Sequence, residues 1–526
     1  MTARIFLPNL HSPFLLPGAA LPFFHRSRFP VLAGLLLILG LVPGVIPAVL
    51  AQPAPPAGAP SIDLPQEPLD NLRQLTPDWE QRYLPPGQQH PTPPPAATPS
   101  KHPPTVTDAD LLRHPQLAEI VLTTAIKRHD WNTVKKVLGL YETIPGHDRL
   151  LVHYGKGALL RSQRRHGEAI GEYRAMLQAD PGLHTVRFDL GIMLFEDKQY
   201  RAAQEQLKQS LDVPGLPAAL RGIAQQILDQ IAQAERIRPL LRIRLLHSNN
   251  INQRGDASEL AIGGLLFEKN PDSMPKASWG MHYALQLDQE VNLGGNNFLA
   301  YSASANKLDY ASASDYDENA VMLSLDYKHQ TVSSWVALGP AMQWQWLAGQ
   351  RYSHGQGLNA SIGHWISPRL QASAYMRWLH RSYYDPNLAS YEGDTSSVSP
   401  GLLWLVSRQV AVLVGAGYLR ESLRTGSESF RQRQVNVGMN VQVPGGFNAS
   451  AFAQLGFRRY DERHPLMYEW RKDRRFTTSL TIGHGKLQVA GFEPKLGVQY
   501  ERVHSNIAGL YSRSTWQSML TLERRF

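Results

Sequence analysis

The sequence predicts a multidomain chain in which an all-α repeat solenoid is followed by a transmembrane antiparallel β-barrel of about 14 strands. Three observations carry that reading. A helical stretch repeats at an interval of about 34 residues. The region after it alternates apolar and polar residues in short runs as far as the C-terminus. The breaks between those runs are short and long by turns, as in barrels whose connections differ on the two sides of a membrane.

The chain begins with export signals. Arg26 and Arg28 precede an apolar run from Phe29 to Val42, then Pro43, Pro47 and the small-residue end "AVLAQ". Val49 and Ala51 occupy the positions that a signal peptidase reads, so residues 1–51 are expected to be a signal peptide cut after Ala51. The run falls short of the ~20 residues of a spanning helix, and prolines interrupt it. Residues 52–107 are dominated by proline, as in "HPTPPPAATPSKHPP". Such a stretch has too little apolar surface to form a core and reads as a disordered, partly polyproline linker.

Residues 108–237 change to helical periodicity. Gly157 and Gly191, Ala169 and Ala203, and Tyr173 and Leu207 are each separated by about 34 residues, the tetratricopeptide period. Small residues sit where the two helices of a unit touch, and an aromatic ring or a leucine fills the space beside them. Pro181 ends the first unit, and Pro214 falls one place short of its partner. A degenerate unit precedes these around Ile120 to Tyr141, and "PAALRGIAQQILDQIAQAERI" reads as a capping helix over the last apolar face. This domain is expected in the periplasm.

Residues 238–526 form the barrel. In "SWGMHYALQLDQ", Trp279, Met281, Tyr283, Leu285 and Leu287 face one way, while His282, Ala284 and Gln286 face the other. In "FEPKLGVQYE", Leu496, Val498 and Tyr500 oppose Glu493, Lys495, Gln499 and Glu501. The polar sets assign Arg242, Arg244, His282, Gln286, Glu493, Lys495 and Gln499 to the lumen. Tight breaks such as "NLGGN", "ISP" and "PGG" alternate with longer ones such as "YASASDYDEN" and "RRYDERHPLMYEWRKDRR". An even strand count puts both ends of the barrel on one side. Phe526 then ends the closing strand, where barrel assembly machinery is expected to read it.

Composition and motifs exclude more than they assign. A formal net charge of +9 is spread along the chain without a basic, aromatic-rich run, which argues against nucleic-acid binding. There is no cysteine, so disulfides, thiolate metal sites and a lipobox are absent. No serine-hydrolase elbow, zinc-protease helix or Walker loop is present, and no enzyme, cofactor or metal site is expected. "GHGKL" and "GQGLNA" lack the context of phosphate loops. "SDYDEN", with Asp315, Asp317 and Asn319, lacks the turn glycine of a calcium loop. His147, Asp148 and His153 read as surface residues. Two basic clusters stand out: Arg161, Arg164 and Arg165 on a repeat helix, and "RKDRR" in an expected outer loop. Arg471, Lys472, Arg474 and Arg475 of the latter would suit lipopolysaccharide phosphates.

A signal peptide, a short tetratricopeptide domain and a barrel of about 14 strands together resemble the surface lipoprotein assembly modulator (Slam) family of type XI secretion. The resemblance covers Asp108 to Phe526, and its most local element is "HSNNINQ". There Asn249, Asn250 and Asn252 look like the Asn-rich sequence at that family's barrel start. The resemblance implies a monomeric outer-membrane translocator of a Gram-negative bacterium, moving client surface lipoproteins or related secreted iron- and haem-capture proteins, with a periplasmic chaperone as a further partner. Client contact is then expected along the first helix of each unit, at Tyr154, Ala158 and Arg161, then Phe188, Ile192, Phe195 and Glu196. Of these, Phe188 and Phe195 are equally suited to packing between helices. An exopolysaccharide exporter with tetratricopeptide units and an ordinary solute porin are the alternatives. The first should carry a longer repeat array and a one-signed or aromatic lumen; the second should conduct small solutes.

Overall fold

The computed structural model describes residues 107–213 and 216–526. The expected signal peptide, nearly all of the proline-rich linker and Pro214 lie outside the described residues. Eight helices come first: α1 (Asp108–Arg113), α2 (Pro115–Lys127), α3 (Trp131–Tyr141), α4 (Arg149–Ser162), α5 (His166–Ala179), α6 (His184–Glu196), α7 (Tyr200–Leu211) and α8 (Ala218–Ala234). Local chemistry starts several of them. Thr107 and Asp110 form a reciprocal capping box on α1, and the Asp130 and Asp148 side chains cap α3 and α4.

Pairs α2/α3, α4/α5 and α6/α7 are the three repeat units. Packing explains the repeated glycines. A Cβ added at Gly157 would lie 2.3 Å from Cε2 of Tyr173, and one at Gly191 2.8 Å from the Leu207 side chain. Bare backbone lets the two helices of each unit close around a large side chain from the other. The degenerate first unit buries Leu122, Val134, Leu138 and Tyr141. On α8, Ala224, Ile227 and Ile231 are buried as one stripe, which covers the end of the solenoid.

The strands are β1 (Arg238–Ser248), a small hairpin of β2 (Glu259–Ile262) and β3 (Leu265–Glu268), then β4 (Ser278–Gly294), β5 (Asn297–Tyr310), β6 (Glu318–Gln330), β7 (Ser334–Leu347), β8 (Gln350–Ser367) and β9 (Leu370–Tyr383). They continue as β10 (Gly393–Leu405), β11 (Val410–Leu423), β12 (Phe430–Gln442), β13 (Phe447–Arg463), β14 (Trp470–His484), β15 (Glu493–Ser505) and β16 (Arg513–Arg525). The small hairpin is a separate two-stranded sheet; the other strands each pair antiparallel with their neighbours, and β1 meets β16, so fourteen strands close one barrel. The seam runs in register from Leu240 opposite Arg525 to Ser248 opposite Gln517. Closure leaves no free sheet edge for lipid to contact.

Alternation sorts the surfaces as expected. Trp279, Tyr283, Leu285, Val435, Val437, Met439, Leu480, Ile482 and Trp516 are exposed on the outside, where lipid replaces water. Loop lengths depart from the expected asymmetry in three places. β7 and β8 are joined on the outer side by Ala348 and Gly349 alone; the long break around "RKDRR" contracts to residues 464–469; and β14 to β15 takes residues 485–492 on the inner side. The long loop after β1 holds the β2–β3 hairpin, which the alternation of that segment did not announce.

Candidate functional site: the lumen, its seam and the docked solenoid

The seven residues assigned to the lumen all sit on the inner face. Arg242 lies in register with Ala284 and Arg244 with His282, while Lys495 and Gln499 lie opposite Thr521 and Gln517. Two of them converge on a residue outside that set. Glu523 of β16 receives Arg242 Nε at 3.0 Å and Lys495 Nζ at 2.9 Å, and its side chain is 4% exposed. One carboxylate thus joins β1, β15 and β16 across the seam. Glu493 accepts a hydrogen bond from Asn448 at 2.7 Å, and Gln286 donates to Asp288 at 2.9 Å. The inner wall carries both signs, and pairs such as Arg242 and Lys495 with Glu523 and Lys328 with Glu290 offset much of the desolvation cost that an unpaired charge would keep.

The outer end of the lumen corrects the loop assignment of "RKDRR". Arg471 to Arg475 lie within β14, so alternation divides them between two faces. Arg471 points inward, pairs with Asp473 at 2.8 Å and stacks over Tyr511 at 3.3 Å from its ring centre. Arg475 pairs with Glu501, which also holds Arg513 at 3.1 Å. Lys472 and Arg474 take the other face, so four side chains cannot clamp one phosphate together. Tyr511 comes from α9 (Ala508–Tyr511) in the last outer loop, and its hydroxyl bonds His464 at 2.9 Å.

The Asn-rich motif fastens the first outer loop to this end. Asn249 Oδ1 accepts the Trp516 N–H at 2.7 Å, directly above the seam. Asn250 closes a turn by donating to Arg254 O and accepting from Arg254 N, and Asn252 does the same with Met274 O and Lys276 N. Further along the loop, Lys269 Nζ donates to the carbonyls of Gly255 and Gly509, tying it to α9. An asparagine side chain suits each position because it offers donor and acceptor together. At the opposite end Phe526 is 63% exposed, its N–H donates to Pro239 O, and Arg524 lies 4.4 Å from its ring centre.

On the solenoid, the expected client-contact residues divide. Phe188 is 3% exposed and belongs to the core, which corrects its place on a groove surface. Phe195 stacks on Tyr200, and Tyr200 meets Phe298 of β5 edge-on at 5.6 Å. Tyr154 lies 5.8 Å from Tyr173 and remains partly open. Arg161 grips Glu196 with two hydrogen bonds of 2.6 and 3.0 Å, and His166 reaches the same carboxylate at 3.0 Å. Burial pushes the Glu196 carboxyl up, but the His166 hydrogen bond and the Arg161 charge outweigh it and hold the group at about 2.

The solenoid is docked onto the barrel's inner rim by residues that sequence reasoning missed. In the α6–α7 turn, the Asp197 carboxylate accepts the Val332 N–H at 3.1 Å, and Asn296 Nδ2 donates to both its carbonyl and its side chain. Asn292 Nδ2 donates to Lys198 O, and the Asn292 side chain accepts the Arg201 N–H. Arg164 donates to Val332 O at 3.4 Å. Only Glu235 to Ile237 separate α8 from β1, and Glu235 holds both the Asn292 N–H and the Gln289 side chain. On the barrel side Asn292 stands near the end of β4 and Asn296 in the turn after it, and both are uncharged, so the sequence gave no sign beyond the run "NLGGNN".

Two sequence families match this architecture part by part. "Surface lipoprotein assembly modifier" matches residues 241–526, and "Surface lipoprotein assembly modifier, N-terminal TPR repeats" matches residues 104–207. The chain belongs to the surface lipoprotein assembly modifier family. A surface lipoprotein assembly modifier from Pasteurella multocida is 25% identical over 76% of this chain and 82% of its own length. Surface lipoprotein assembly modifier 1 of Haemophilus influenzae is 23% identical over 76% of this chain and 83% of its own length. Hemophilin secretion modulator of Acinetobacter baumannii is 21% identical over 77% and 85%. With a closed fourteen-strand barrel, an apolar outer belt and this family, the chain is an outer-membrane protein.

Proposed function

We propose that this chain moves specific client proteins, surface lipoproteins or related secreted proteins, from the periplasm to the cell surface. The observation that carries the reading is the docked solenoid: a tetratricopeptide domain is seated on the rim of a polar-walled barrel by the Asp197 turn and a three-residue link. Solenoids of this kind bind extended polypeptide along the first helices of their units. A segment held there would be presented beside the barrel mouth. The relatives' names, which include assembly of surface lipoproteins and secretion of hemophilin, support the same reading. The paired charges of the lumen suit a gated passage for protein rather than a filter for one ion. The chain acts as a conduit without a catalytic or cofactor site of its own, and barrel assembly machinery reads the exposed Phe526.

Deletion of the gene in its native bacterium, with mass spectrometry of surface-shaved and secreted proteins, tests this. One or a few proteins should disappear from outside and accumulate in the periplasm. An unchanged external proteome would sink the proposal.

A further inference from the structure

We infer that the outer, lipid-facing end of β11 to β15 is a binding surface for the phosphates of lipopolysaccharide in the surrounding leaflet. Register builds it. Arg420 of β11 lies opposite Arg431 of β12, Arg431 opposite Arg459 of β13, and Arg459 opposite Lys472 of β14. These four share the parity of Val414, Val435, Phe457 and Phe476 on their own strands, all exposed to lipid. One row nearer the apolar belt, Arg433 and Arg474 flank Phe457, and Arg502 of β15 stands opposite Phe476 a row below. The divided run "RKDRR" thus contributes Lys472 and Arg474 to a cationic sheet face whose other members come from distant strands.

Neighbouring strands are only ~4.8 Å apart, and like charges directly opposite one another repel. Three such contacts follow in succession along the upper row. The face itself supplies Asp461, which pairs with Arg420 and Arg431. Among the described residues no carboxylate pairs with Arg433, Arg459, Lys472 or Arg474. Arg502 donates to the uncharged Ser514 Oγ at 2.8 Å. By contrast Lys307 of β5, on the same face and at the same end, is matched by Asp309. The occupant that offsets this surplus is anionic and sits where the apolar belt meets water, because Val435, Leu455 and Phe476 continue the same face inward. Lipopolysaccharide carries phosphates at that boundary and acyl chains beneath it. Guanidinium forks match phosphate oxygens, and the apolar rows below meet the chains.

The test uses the purified full chain in neutral maltoside micelles, with lipid A as the probe: bisphosphorylated, dephosphorylated, or deacylated with its phosphates kept. Bound lipid is read by native mass spectrometry. The bisphosphorylated lipid should bind about tenfold more tightly than the dephosphorylated one, as charge-assisted hydrogen bonds provide. Combining Arg433→Gln, Arg459→Gln and Arg474→Gln should erase that preference, whereas Lys307→Gln should keep it. Mobility on unheated gels checks that each variant is a closed barrel, and the comparison of lipids on the unaltered protein needs no variant. Equal affinity for the two acylated lipids, or a preference that survives the triple substitution, overturns the inference. So does deacylated sugar phosphate binding as tightly as the intact lipid, which would mark a site for free anions.

Discussion

Arg242 of the first strand and Glu523 of the last meet at 3.0 Å on the inner wall, so the seam of the barrel is fastened by side chains as well as by its backbone ladder. Lys495 and Arg525 approach the same carboxylate. Replacing Glu523 with glutamine keeps the shape and removes the charge. The variant should lose about 3 kcal/mol of barrel stability because buried cations are left uncompensated. Urea-dependent loss of the compact form on unheated gels measures it; unchanged stability would show that the cluster is already solvated.

The same seam gives a test of lateral opening. Leu245 and Leu520 are register partners on the lipid-facing side. Cysteines at both positions fall within the spacing of cross-strand disulfides. If clients leave through the seam, oxidation should stop their display and a reductant should restore it. Full display from the oxidised protein would assign passage to the lumen.

Docking of the solenoid depends on Asp197 more than on any residue foreseen from sequence. Asp197→Ala removes the acceptor of the Val332 N–H and one of two contacts with Asn296. A loss of about 2–3 kcal/mol in docking follows for a buried charged acceptor. Trypsin should then cut faster at Arg236 in the link, while the barrel remains folded. Equal cutting rates in both proteins would contradict this.

Glycines in the repeats separate packing from propensity. Gly157→Ala and Gly191→Ala place a Cβ against Tyr173 and Leu207 and should each cost about 1–3 kcal/mol. Gly171→Ala on α5 meets nothing within 4 Å and should gain about 1 kcal/mol from helix propensity. Thermal melts followed by helical circular dichroism would rank the three variants.

Two carboxyls of the solenoid respond to pH in opposite senses. Glu196, held at about 2 against an ordinary 4.5, contributes stability above pH 4.5 that is lost as pH falls toward 2. Asp189, raised from 3.8 to about 6, makes the native state take up a proton that the unfolded chain does not, so stability falls as pH rises through that window. The helical domain should be most stable near pH 4 to 5. Glu196→Gln should flatten the acid limb and Asp189→Asn the other, as melting temperature against pH would show.

The repeat domain was legible because its glycines and their partners recur at a fixed interval, each answering a local steric need. The barrel was legible because a period of two survives in every strand, and that parity placed Arg242 and Lys495 on the lumen face. Their meeting at Glu523 was not legible, since it depends on register among strands distant in sequence. "RKDRR" read as a loop because charge density masks a strand whose inward charges are paired. Phe188 looked available for binding because an amphipathic pattern does not tell a groove from the face between two repeats. Asp197, Asn292 and Asn296 resemble ordinary turn residues, and only the approach of another domain gives them a role.

The link of Glu235 to Ile237 also bears on how the barrel is built. Sheets can slip by two residues without turning any side chain to the wrong face, so alternation alone leaves the stagger of a closing barrel open. Here β1 enters directly from a folded helix, and Glu235 is bonded to Asn292 and Gln289 near the far end of β4. A slip of β1 along β4 would tear those bonds. The solenoid therefore serves as a gauge block: its link to β4 admits one stagger of β1, and that stagger helps set the shear of the cylinder.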